Sequence, residues 1–128
     1  MEIAISCLFF AALMHFISKI PVAIAMSKQG GYDNRQPRVQ EATLTGFGHR
    51  ALAAHENSIE AFPLFAAGIL IALFAQAEQS SIDMLAIAFV AARVLYLLFY
   101  LIDINLMRTL VWFVGYLSSL ALIALPLL

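Results

Sequence analysis

Four long apolar runs, separated by three short polar interruptions, account for nearly the whole chain. They extend over about residues 3–26, 45–77, 82–102 and 106–128, and each is long enough, as a helix, to cross a hydrocarbon core of about 30 Å. The sustained polar passage lies between the first two, at residues 27 to about 44, where Gly30-Gly31, Asp33-Asn34 and Gln36-Pro37 read as breakers of an irregular loop. Thr43 or Thr45 is the expected cap of the second helix. The other connections are too short for anything but hairpins between neighbouring helices. The pattern therefore predicts an all-α integral membrane four-helix bundle, up-down-up-down, forming one domain over residues 1–128.

Composition leaves no soluble alternative. The chain is 63% hydrophobic and 12% charged, with a mean hydropathy of +0.92, too little polar surface for a water-exposed globule. A net charge of -1 and the absence of any basic stripe argue against nucleic acid. Cys7 is the single cysteine, which excludes an internal disulfide and a zinc-finger spacing. Met1 and Glu2 bring no side-chain positive charge before the first apolar run, so a spanning helix is expected there rather than a cleaved signal. Lys28, Arg35, Arg38, Arg50 and Arg108 lie at the first and third connections and none at the second. The positive-inside rule then makes the first and third connections cytoplasmic and both termini external.

The polar residues inside the apolar runs carry the chemistry. At 100° per residue, Arg50 and Asn57 fall within about 20° of each other, and His49, Glu56 and Glu60 complete an arc of roughly 120°. His55 points the other way, and Pro63, further along the same helix, is expected to bend its axis. In the third run Arg93, Tyr96, Tyr100 and Asp103 form a second stripe about 80° wide. A cation at the depth of Arg93 needs an anionic partner, and Glu60 is the natural one if the two helices pack together. That pair serves either as a clamp between helices or as part of a site. On the first helix His15, Ser18 and Lys19 make a smaller polar face, with Lys19 either snorkelling to the interface or lining the site.

Two polar stripes and a basic rim describe a pocket for a small, charged, hydrogen-bonding molecule with an apolar part directed toward lipid. Glutathione has that character, with two carboxylates, an ammonium, two amides and a thiol. Arginines suit its carboxylates and a glutamate its ammonium. Arg108, at the rim where the fourth run begins, is the residue placed to favour the thiolate.

The phrase Asn57, two residues, Glu60, two residues, Pro63-Leu64-Phe65, preceded by Arg50, together with Arg93-Val94-Leu95-Tyr96 and Tyr100, resembles the membrane-associated proteins in eicosanoid and glutathione metabolism, the MAPEG family. The loop Gly31-Tyr32-Asp33-Asn34-Arg35-Gln36-Pro37-Arg38 is more similar to the bacterial branch. The resemblance implies a homotrimer in a bacterial inner membrane, with glutathione as co-substrate between subunits and a lipophilic second substrate from the bilayer. It also implies that Asn57, Glu60, Tyr96 and Tyr100 contact glutathione, joined on the residue reading by Arg50 and Arg93, and that Arg108 activates the thiol. The resulting expectation is a glutathione transferase or peroxidase. A family member without chemistry, serving as a membrane scaffold, is the alternative, because Ala53 stands where the animal enzymes have a glutathione-binding arginine. A small multidrug exporter is the third reading. It fits less well, since the first run has only Glu2, outside the membrane, where such exporters need a carboxylate midway along the helix.

Overall fold

The computed structural model describes residues 1–128 and is entirely helical. The elements are α1 (Glu2–Lys28), α2 (Pro37–Glu41), α3 (Phe47–Phe74), α4 (Gln79–Leu101) and α5 (Asn105–Ala124), followed by a single 3-10 turn, Leu125–Leu127. α1, α3, α4 and the unit of α5 with its final turn are each long and apolar enough to cross a membrane. At 1.5 Å per residue, the 28 residues of α3 reach about 42 Å, beyond the hydrocarbon core and into the headgroup region. The protein is an all-α four-helix bundle built for the bilayer, and its outward faces show it. Phe74 is 92% exposed, and Phe9, Phe16, Leu106 and Leu117 also face outward.

α3 is the axis of the packing, touching α1, α4 and α5, while α4 runs beside α5. The inner seam alternates small residues with a few large ones, so backbones approach closely. At one end Phe65 and Phe89 stack with ring centroids 3.8 Å apart among Ala4, Ala11, Ala72 and Ala86. Met14, Ala54, Tyr96 and Leu97 form the middle layer. Val22, Met26, Leu44 and Ala51 close the loop end. Gly68 marks the tightest crossing. A Cβ there would stand 2.9 Å from Leu122 Cβ and 3.0 Å from the Ser119 carbonyl oxygen, so only hydrogen fits between α3 and α5. Ser118 and Ser119 donate back to the carbonyls of Val114 and Gly115, leaving no unpaired hydroxyl in that seam.

The connections differ from the sequence expectation in two places, each with a local cause. Thr43 and Thr45 do not cap α3. Thr43 Oγ1 donates to the Gln40 carbonyl at 2.7 Å, and α3 starts behind Gly46, whose φ of +54° turns the chain at a position that suits a residue without Cβ. The first loop also contains a helix. Pro37, read as a breaker, instead opens α2, since its fixed φ suits a first helical position. Asp33 Oδ1 accepts from the backbone N–H groups of Arg35 and Gln36 just before it. Gln40 then donates to the carbonyls of Met26 and Gly31 and accepts from the Asp33 N–H, tying the loop to the end of α1. Lys19, from α1, reaches toward this same loop. It pairs with Glu41 of α2, the one ion pair in the chain, and so draws the loop down onto α1.

α3 runs unbroken through Pro63, as α1 does through Pro21. At the far end of α3 the chain reverses through Gln76 at φ +55°, and after α4 it reverses through Asp103 at φ +62°. Both turns end with a reach-back bond, Ala77 N–H to the Ala72 carbonyl and Ile104 N–H to the Phe99 carbonyl.

Candidate functional site

The polar arc of α3 and the stripe of α4 lie on adjoining helices, and they meet. Arg93, only 4% exposed in the middle of α4, donates from Nη2 to Asn57 Oδ1 at 2.7 Å. Its guanidinium carbon sits 4.2 Å from the centroid of the Tyr96 ring. The buried cation is thus satisfied by an amide oxygen and a π-face rather than by a carboxylate. The expected Arg93–Glu60 ion pair does not form: the setting of α4 along α3 brings the guanidinium to Asn57, one turn before Glu60. Glu60 instead stays exposed and faces a cavity of about 180 Å³ lined also by Asn57, Arg93, Trp112, Tyr116 and Ser119.

A second, more open cleft adjoins it toward the third connection. Tyr96, Tyr100, Arg108, Thr109 and Trp112 line this space of about 200 Å³. Tyr96 and Tyr100 meet edge to face, with centroids 5.6 Å apart, and the Arg108 guanidinium carbon lies 4.4 Å from the Tyr100 centroid. From Asn57 through Arg93, Tyr96 and Tyr100 to Arg108 there is therefore one continuous chain of contacts running from mid-bundle to the rim. Trp112 borders both spaces and stacks nearly parallel on Tyr116, 5.2 Å away.

Arg50, expected on the same face as Asn57, stands apart from both spaces. It donates to the Leu101 carbonyl at 3.3 Å, meeting one of the free carbonyls at the end of α4. Its Nε is buried without a partner. His49, Glu56 and Asp103 are exposed. His55 turns toward α1, where its Nδ1 lies 2.8 Å from the fully buried Ser18 hydroxyl. His15 packs edge-on against Phe62 in the same seam, so this histidine and serine group serves the α1–α3 contact.

Beyond Arg108, the α5 contribution of Trp112, Tyr116 and Ser119 escapes a pattern read from α3 and α4. Arg108, Trp112, Tyr116 and Ser119 recur at three- and four-residue steps, the same face-making interval that exposes the other two stripes. An aromatic and hydroxyl stripe is weaker in hydropathy than one with charges, and aromatic residues near a helix end also suit the membrane interface. Gly115, between them, packs beside Arg93, whose Cδ would meet a Cβ at that position in ordinary contact, 3.5 Å away.

The arrangement offers donors and acceptors at one depth, a cation beside a π-face at the rim, and an apolar wall that includes Ala61, Leu64 and Phe89. It holds no cluster of three or more metal-ligating side chains. Comparison with curated proteins and with solved structures returned no match. A family model does match, the one described as the MAPEG family, over residues 3–128, and since that is essentially the whole of a chain already seen to be a four-helix membrane bundle, the protein belongs to the MAPEG family.

Proposed function

We propose that the protein is a glutathione-dependent membrane enzyme of transferase or peroxidase type, acting on apolar electrophiles or lipid hydroperoxides that enter from the bilayer. The family is associated in general with glutathione and with lipophilic partners. The observation that carries the reading for this chain is the unbroken contact chain from Asn57 to Arg108 along two adjoining polar spaces. Asn57 and Glu60 supply a neutral and an anionic hydrogen-bonding group one turn apart, matched to the amides and ammonium of glutathione. Tyr96 and Tyr100 supply hydroxyls and rings at the next level. Arg108 stands where positive charge favours thiolate over thiol, and the thiolate attacks the electrophilic carbon or the peroxide oxygen as the leaving group departs. Trp112 and Tyr116 form the wall against which the apolar substrate packs.

Glu56 and Glu60 are both exposed on a helix that crosses the membrane. A carboxylate in hydrocarbon costs about 2.5–3.5 kcal/mol even on the mildest scale, so this face of α3 needs a protein cover. A homotrimer, as the family resemblance implies, supplies that cover with further copies of the same chain and completes each site between subunits. The polar mouth then opens to the cytoplasm, with the first and third connections on that side of a bacterial inner membrane.

Isothermal titration of the detergent-solubilised protein with glutathione tests the reading. Saturable heat with a dissociation constant in the millimolar range or below is expected, and none at about 10 mM overturns it. The second reading, a scaffold that has lost its chemistry, is favoured by Ala53 and by the engagement of Arg50 with the Leu101 carbonyl. Glutathione binding without conjugation of any tested electrophile would decide for it.

A further inference from the structure

We infer that Arg93 is a positioning residue whose task is to lock the Asn57 amide with its NH2 toward the cavity, so that the ligand group seated against Asn57 must be an oxygen acceptor. The inference deepens the reading of this space as a glutathione site and rests on it for the identity of the ligand, but not for the orientation.

The argument is one of donor and acceptor inventory. An amide side chain can face either way, and its two ends are nearly alike in shape. A guanidinium, however, carries five N–H donors and no acceptor. Arg93 Nη2 lies 2.7 Å from the Asn57 side chain, a distance that requires an acceptor there, so the oxygen of Asn57 faces Arg93 whatever else the cavity holds. The NH2 is then the end left for the cavity that Asn57 and Arg93 both line. Arg93 itself has little freedom to reorient. It is 4% exposed and its guanidinium lies over the Tyr96 ring.

Glu60 makes the consequence specific. It lines the same cavity one turn further along α3 and, when ionised, can only accept. The two side chains therefore present opposite hydrogen-bonding characters, a donor at Asn57 and an acceptor at Glu60. A carbonyl or carboxylate oxygen matched to the first and an ammonium or amide N–H matched to the second belong together in amino-acid and peptide groups. A ligand with two acceptors, or with the order reversed, meets a like group and leaves it unpaired.

The test uses the full chain in detergent, with glutathione as probe in titration calorimetry and thermal unfolding as a ligand-free readout. Asn57→Asp keeps an acceptor for Arg93 but removes the donor. It should weaken glutathione binding roughly tenfold or more while melting at or above the wild-type temperature. Arg93→Lys, still donor-only, should bind within about threefold of wild type, whereas Arg93→Met should lose roughly tenfold. In an Asn57→Ala background the same Arg93→Met change should alter affinity by less than about twofold, since a residue acting through Asn57 has nothing left to position. Additive losses in that cycle, or an Asn57→Asp protein that binds as wild type does, would overturn the inference. If the wild type binds no glutathione, the proposed function fails and the orientation is judged by melting alone. Asn57→Asp should then melt above Asn57→Leu, and the reverse order overturns the lock.

Discussion

Arg108 shows how a residue at the rim acquires a fixed task. Its guanidinium rests on the Tyr100 ring at 4.4 Å, so a long and otherwise mobile side chain is held over the open cleft it lines. If its charge favours the bound thiolate, Arg108→Ala should raise the thiol pKa of bound glutathione by about 1 unit or more. The conjugation rate at neutral pH should fall about tenfold, and the pH profile should move to higher pH by the same interval, while affinity changes little. Tyr100→Leu, which removes the ring but not the charge, should reproduce part of that shift, and Tyr100→Phe much less. Following thiolate absorbance near the ultraviolet edge against pH checks all three variants, and an unmoved profile in Arg108→Ala removes that residue from the mechanism. At this scale periodicity makes Arg93 legible as a cation that must find a partner, but it does not choose between Glu60 and Asn57. One turn of α3 separates them, and the choice depends on how far α4 is set along α3, which no single-helix pattern contains. The capture of Arg50 by the Leu101 carbonyl is illegible for a related reason. It depends on where α4 ends, and helix ends shift with the turn that follows.

Among the elements, α3 and α5 depend on a residue with no side chain. At Gly68 a methyl would press on Leu122 Cβ and on the Ser119 backbone oxygen, and backbone cannot yield by rotating a side chain. Gly68→Ala is therefore expected to destabilise the bundle by about 1–3 kcal/mol, as overpacking does elsewhere. Thermal unfolding in detergent measures the cost, and a variant as stable as wild type would mean that α5 is free to slide. Because Ser119 also borders the cavity with Asn57 and Glu60, the same shift should weaken glutathione binding. The four spanning runs are legible in the sequence because membrane helices need only length and hydropathy. The loop is harder to read, since Pro37 signals either a break or a helix start depending on what precedes it. Here Asp33 supplies the turn, and the Lys19–Glu41 pair supplies a reason for α2 to lie where it does. That pair joins positions too distant in sequence for any local pattern to link them.

For the whole molecule, the open question of surface is the α3 face that carries Glu56, Glu60, Pro63, Ala67 and Leu70, all exposed and spaced so that they fall on one side of the helix. Lipid is a poor neighbour for two carboxylates, whereas copies of the same helix, with trapped water between them, are a tolerable one. Cyclic symmetry turns this into a countable outcome. With Cys7 replaced by alanine and Ala67→Cys as the lone thiol, oxidation in native membranes should join neighbouring chains through this face. Each chain has one thiol and each bridge uses two, so a closed trimer always leaves one chain out. Cross-linking should then saturate at about two-thirds of the protein in dimer bands, whereas a dimer or tetramer approaches completion. Native mass spectrometry of the unbridged protein should give three chains. A monomer in that measurement, with no bridge at Ala67, would leave both carboxylates facing hydrocarbon, and the site would have to be built within one subunit.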